Sequence, residues 1–256
     1  MLTSVQDDKC RPIGRFHRGE ATALFTKRSS QKLKRLVDLV IALVVSLGAA
    51  PVLLIVVLLV KLTSAGPMIY SQTRVGRDRR IFTIYKVRTM YQDCERLSGP
   101  CWSSDNDPRV TPLGRILRRT HLDELPQIWN VLRGEMSMVG PRPERPEFLP
   151  ELEKALPHYG ERLTVAPGVT GLAQVNLPPD SDHESVRRKL VFDLDYAFNQ
   201  GTWLDLRIIA CTGLFLAGVP FSASVHYFGL APRADDEQAG AGIERISPAM
   251  PVWPDS

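Results

Sequence analysis

Three arginines, Arg115, Arg118 and Arg119, stand just ahead of an acidic pair, Asp123–Glu124. An apolar helical run follows (Leu125, Ile128, Trp129, Leu132), Gly134 ends it, and Arg142 sits between Pro141 and Pro143. A carboxylate nucleophile, a second carboxylate able to hold a divalent ion, and arginines for phosphate oxygens are the parts of a phosphoryl-transfer site. Thr120 or Asp123 can cap the helix, and Pro126 is tolerated only near a helix start, so the spacing predicts both acids in its first turn. There the helix dipole would keep Asp123 ionised and attract a phosphate. A plainer account fits the same residues: first-turn acids stabilise helices, and Arg–Asp neighbours form solvated surface pairs. Spacing leaves both accounts open.

Lys86 and Arg88 leave the end of an alternating strand, Ile81 to Val87, close enough to meet one anion. Two solvated charges on a strand edge are the alternative. Asp105-Asn106-Asp107 could clamp a metal and a nucleotide. It precedes Pro108 among turn formers, with no glycine-rich βα turn around it, and so reads as a turn. Four cysteines (Cys10, Cys94, Cys101, Cys211) lack C-x-x-C pairing or nearby histidines, which argues against a zinc or disulfide framework and for free thiols. Cys94 and Cys101 are close enough in sequence for a bridge. A net charge of +4 points to an anionic partner without choosing among nucleic acid, phosphosugar and membrane surface. The absence of aromatic–basic interleaving argues against nucleic acid.

Positioning such a site falls to elements on either side. Leu36 to Leu62 is an apolar run of about 27 residues, which would span about 40 Å as a straight helix, more than a bilayer core needs. Gly48-Ala49-Ala50-Pro51 should kink or break it at the middle. Lysines and arginines flank both ends, so the positive-inside rule finds little asymmetry. A re-entrant helix–break–helix instead lays both flanks against anionic headgroups on one face. Met68 to Tyr70 and Ile81 to Val87 read as two strands around a basic turn. Glu147 to Leu163 reads as an amphipathic helix, Pro167 to Gly171 as a tight turn, Leu172 to Val175 as a strand, and Ser185 to Asn199 as a helix. Thr202 to Pro220 is an apolar helix for core or membrane interface, with Trp203 suited to the latter. The ends are polar and without periodicity.

These blocks together resemble the bacterial sugar transferases, small monotopic polyprenyl-phosphate phosphoglycosyl transferases. The resemblance runs from about Lys32 to Leu216, through KRLVDL, GPMIYSQTRVG, FTIYKVRTM, DPRVTPLGRILRRT, LDELPQIWNVLRGEMSMVGPRP, PGVTGLAQV and LDLRII. It implies that Asp123 attacks the β-phosphorus of a nucleotide-sugar donor, a UDP-sugar. The nucleoside monophosphate leaves, and the phosphosugar passes to polyprenyl phosphate such as undecaprenyl phosphate, beginning exopolysaccharide or glycoconjugate synthesis. Glu124 would hold Mg²⁺, Arg118 and Arg142 would face the phosphates, and Lys86 and Arg88 match the family's basic strand end. The family's re-entrant helix breaks at a Ser-Pro pair. Here Ala50-Pro51 keeps the proline and loses the hydroxyl.

The expected fold is α+β, a mostly helical membrane-associated domain with a small β element and an N-terminal re-entrant helix–break–helix. The expected divisions are a disordered basic arm (1–30), the re-entrant helix (31–65), the catalytic domain (66–222) and a disordered tail (231–256). The short polar arm predicts no further transmembrane helices. The expected place is the bacterial inner membrane, with the catalytic domain on its cytoplasmic face, and self-association is left open. Two other classes compete: a membrane-tethered scaffold that has lost its chemistry, and a metal-dependent glycosyltransferase using Asp105 and Asp107, which would release nucleoside diphosphate.

Overall fold

The computed structural model describes residues 28–92, 94, 107–178 and 183–231. The expected arm and tail therefore lie almost wholly outside the described residues, as do Cys10, Cys101, Asp105 and Asn106.

Helix α1, Arg28–Thr63, is a single element with Pro51 inside it, where two helices around a break are expected. A proline removes one amide donor and kinks a helix without ending it when the turns on both sides are strongly helical. Asp38, Ala42, Val56 and Val60 are buried at helical spacing. Ala42 joins the main core with Ile128 and Met138, while Val56 and Val60 pack on Val87 and Leu117. Burying one such valine contributes about 1.5–3 kcal/mol. The other faces stay apolar and exposed, Leu47 at 71% and Leu62 at 82%.

Strands β1, Ile69–Val75, and β2, Ile81–Val87, form an antiparallel hairpin in the register Ile69↔Val87 to Val75↔Ile81. The first strand is longer than expected because Gln72 and Arg74 add polar pairing positions that apolar alternation does not reveal. In the turn, Asp78 and Arg79 both adopt left-handed backbone, with φ 55° and 61°. Helix α2, Pro112–Arg119, starts on a Thr111 cap whose hydroxyl accepts from the Gly114 amide at 2.9 Å. Helix α3 is Gln127–Arg133, ended by Gly134 at φ 83°.

Strand β3, Ser137–Val139, pairs in parallel with β4, Gly168–Thr170. Leu172 to Val175, expected as a strand, opens a short helix, α5, Leu172–Asn176. A four-residue apolar run has no period of its own to decide between the two. The pairing goes to the preceding Gly-Val-Thr, whose Thr170 carbonyl accepts from the Gly140 amide. The expected helix from Glu147 to Leu163 divides into α4, Leu149–Ala155, and a 3-10 turn, Tyr159–Thr164. Pro157 offers no amide, and Leu156 before it is extended, so the helix stops there. Helix α6 spans His183–Asn199, and α7 spans Thr202–Leu216, short of the expected Pro220. Gly218, at φ 96°, ends the apolar stretch, and Pro220 leads into α8, Phe221–Tyr227, past the expected domain limit at 222. Cys94 and Cys211 carry free thiols.

Candidate active site

The acidic pair lies ahead of α3 rather than in its first turn. Helix α2 ends at Thr120, whose hydroxyl donates back to the Ile116 carbonyl at 2.9 Å instead of capping the next turn. His121 is left-handed at φ 55°, and Leu122–Glu124 form a 3-10 turn. Pro126 cannot donate to Leu122, so a regular helix begins only after it. The turn buries Asp123 and leaves the Glu124 side chain 13% exposed.

Three elements bring cations to this turn. On β2, Phe82 and Ile84 face the core, and Lys86 continues the same row. Its Nζ reaches Glu124 Oε1 at 2.8 Å. Arg142, in the loop after β3, donates to Glu124 Oε1 at 2.6 Å and, less closely, to Oε2 at 3.4 Å. Arg118 on α2 is anchored through its Nε on the Thr89 hydroxyl at 3.0 Å, and its charge acts on Asp123. The sequence-predicted Asp123, Glu124, Lys86, Arg118 and Arg142 thus converge. Arg88 turns elsewhere: its Nη2 donates to the Ser64 carbonyl and hydroxyl at 2.9 and 2.7 Å. Asp107, from the acidic triplet, is buried and paired with Arg109 at 2.6 Å, while its carboxylate accepts the Arg109 amide, as the turn reading requires. Pro51 lies in α1 and is exposed.

The two carboxylates are driven apart electrostatically. Burial, reinforced by the Glu124 charge, raises Asp123 above the ordinary aspartate range against the pull of Lys86, Arg142 and Arg118. Burial opposes ionisation of Glu124 too, but Arg142 and Lys86 outweigh it and hold that carboxyl well below its usual value. Burial also lowers Lys86, with Glu124 opposing the shift. The two neighbouring carboxyls are thus set apart, Glu124 toward the charged form and Asp123 toward the more basic end.

Sequence reasoning missed the residues that fix these positions. The Asn130 amide on α3 donates to the Thr83 carbonyl at 2.7 Å and accepts from the Tyr85 amide at 3.4 Å, docking α3 on the free edge of β2. The arginine loop is clamped at its carbonyls. Val139 accepts from Lys34 and Tyr196, Pro141 from the Gly168 amide, Arg142 from Arg162 at 2.8 Å, and Pro143 from Arg74 at 2.9 Å. Arg162 is itself paired with buried Asp193 at 2.7 Å. The one sequence signal for any of this is Lys34 and Asp38, two charges one helical turn apart at the start of an apolar run. Lys34 pairs with Asp205 at 2.7 Å. Asp38 accepts from the Ser137 hydroxyl at 2.8 Å and the Met138 amide at 3.1 Å.

Comparison with known proteins shows the family. The chain is 39% identical over 222 residues to an undecaprenyl-phosphate glucose phosphotransferase of Komagataeibacter xylinus, covering 83% of this chain and 42% of that protein. It is 40% identical over 206 residues to a UDP-glucose:undecaprenyl-phosphate glucose-1-phosphate transferase of Caulobacter vibrioides, 76% of either chain. It is 42% identical over 182 residues to the exopolysaccharide production protein PSS of Rhizobium leguminosarum bv. phaseoli, 69% of this chain and 91% of that one. Against several larger relatives the chain spans less than half their length. The model of the bacterial sugar transferases matches residues 29–217, which takes in α1, the hairpin, the acidic turn, the clamped arginine loop and α7. The chain belongs to the bacterial sugar transferase family.

Proposed function

We propose that this protein transfers a sugar phosphate from a UDP-sugar to polyprenyl phosphate through an aspartyl-phosphosugar intermediate on Asp123, beginning exopolysaccharide or glycoconjugate synthesis. The observation that carries the reading is the acidic turn: a basic, buried Asp123 beside a Glu124 held anionic by Lys86 and Arg142. An Asp123 oxygen attacks the β-phosphorus. The bond from that phosphorus to the bridging oxygen breaks, and UMP leaves with the oxygen. The acceptor's phosphate oxygen then attacks the same phosphorus, the acyl-phosphate bond breaks, and the Asp123 carboxylate is restored. No water and no net proton are consumed.

Arg142 and Arg118 face the donor's phosphate oxygens, where fork-shaped donors suit the charge. Glu124 fits Mg²⁺, which takes one or two carboxylates together with substrate phosphates. Among the described residues its Oε2 has only the long Arg142 contact and keeps a lone pair to offer. When bound, Mg²⁺ offsets the charge of the diphosphate.

The membrane reading rests on α1, which is long and apolar enough to cross a bilayer, with 11% of its most apolar window buried. Lys34 and Arg35 bond to the domain at one end, Arg35 through the Val131 and Leu132 carbonyls, and Ser64 bonds to it just past the other. Both flanks staying with one domain favours a re-entrant helix in the inner membrane, the domain on the cytoplasmic face against anionic headgroups.

The test is UMP release from a panel of UDP-sugars by the membrane-reconstituted protein with polyprenyl phosphate and Mg²⁺, wild type beside Asp123→Asn. The wild type is expected to release UMP, with one stoichiometric turnover when the acceptor is omitted. Asp123→Asn is expected to release none. Turnover retained in that variant, or release of UDP, would overturn the reading.

A further inference from the structure

Arg88 lies just past the end of β2 and is 7% exposed. Its Nη2 is satisfied by two neutral acceptors on Ser64. Its Nε and Nη1 are buried and have no partner, and among the described residues no carboxylate pairs with it. A guanidinium does not give up its proton, so this is a buried positive charge with two idle donors and no counter-ion. Buried charges persist when paired, and an orphaned one is costly. An anion from outside the chain would supply the missing partner.

The surroundings restrict which anion. Gly66, at φ 108°, brings bare backbone against the guanidinium, and a Cβ there would collide with Arg88 Nη1 and Gln92 Oε1. Ser64, which grips Arg88, follows the end of α1, where Leu58, Leu59 and Leu62 are exposed. On its other side Arg88 adjoins Thr89, which holds Arg118, whose charge acts on Asp123. Arg88 thus neighbours in sequence the residue that anchors Arg118, while the residue that grips it follows the exposed apolar turn of α1. A UDP-sugar has no apolar tail to lay along that surface. A phosphate monoester on a long hydrocarbon chain has both parts.

We propose that Arg88 receives the phosphate of the polyprenyl acceptor, so that donor and acceptor are held by separate cations: Arg142 and Arg118 for the first, Arg88 for the second. This assignment rests on the transfer reaction proposed above and adds which substrate this arginine serves.

The experiment uses the full chain in nanodiscs of neutral phospholipid and separates the two half-reactions. Acceptor-independent UMP release reports on the donor side, and the KM for a short polyprenyl phosphate reports on the acceptor side. Losing a charge-assisted contact should raise the acceptor KM about ten- to a hundredfold in Arg88→Gln. The donor KM and the UMP burst are expected to stay at wild-type values, and Arg88→Lys should lie between. Gly66→Ala, which keeps the charge but crowds the guanidinium, should shift the acceptor KM in the same direction and guards against a fold defect in the arginine variants. A raised donor KM or a lost burst in folded Arg88→Gln would put the arginine on the donor side and overturn the assignment. So would an unchanged acceptor KM accompanied by weaker binding to vesicles of anionic phospholipid, which would mark a headgroup site. No burst from the wild type would sink the transfer reaction itself.

Discussion

Glu124 and Asp123 are neighbours in sequence whose acidities are shifted in opposite directions, and the difference comes from what surrounds each carboxyl. Glu124 meets Lys86 and Arg142 within 2.8 Å, whereas Asp123 feels their field from a buried position. Glu124→Gln should leave the largely buried Lys86 and the half-exposed Arg142 facing each other without their anion, with the larger cost at Lys86. Loss of one partner of a buried pair costs about 3–5 kcal/mol, read as a lower denaturant midpoint. The same variant should also release UMP more slowly. Arg162→Met should destabilise the fold by the same route, because buried Asp193 would lose its pair with the guanidinium. The acidic pair is legible in the sequence, since two acids, a proline and flanking arginines lie within one short stretch. Arg162 is not: it sits 20 residues from the carbonyl it holds, and nothing local marks an arginine that points inward.

At the scale of elements, close backbone approaches do the positioning. Helix α2 lies so near the hairpin's exit that a Cβ on Gly114 would strike the Thr89 carbonyl, and one on Gly168 would strike the Gly140 amide. Gly114→Ala should therefore displace Arg118 from Thr89. It is expected to destabilise the fold by about 1–3 kcal/mol as an overpacked site, measured by chemical denaturation, and to weaken donor binding. The hairpin, α3 and the apolar helix are readable from alternation, apolar periodicity and Gly134. The β3–β4 pair is not, because three-residue strands carry no period and are defined by a partner about 30 residues away. The acidic turn lies one element earlier than its residues suggest: a proline compatible with a helix start is also compatible with a 3-10 lead-in.

For the whole molecule the governing feature is one helix that is half attached and half bare. The apolar run announces it, and so do the basic flanks. That it remains a single helix through Pro51 does not follow from the sequence, since a proline sets a kink but not whether the hydrogen-bonded ladder resumes beyond it. Leu54→Lys, on the exposed face, places a charge in the bilayer under the membrane reading and should cost about 2.5–3.5 kcal/mol of insertion. It is expected to shift the protein from the carbonate-resistant membrane fraction toward the soluble one. Single cysteines placed at Gln31 and Leu62 in a cysteine-free background should both be labelled by an impermeant maleimide from the cytoplasmic side alone. Labelling from opposite sides would mean a spanning helix.

The bond from Lys34 to the Val139 carbonyl, beside its pair with Asp205, makes the membrane segment a structural part of the catalytic loop. A chain begun at the hairpin to gain water solubility would take Ala42 out of the core, leave Asp205 without its cation and Ser137 and Met138 without Asp38, and slacken the support two residues before Pro141. Solubility gained that way would come with a disordered Arg142. Under the proposed function, a detergent or lipid that unseats the first turns of the helix would stop transfer without touching Asp123 or Glu124.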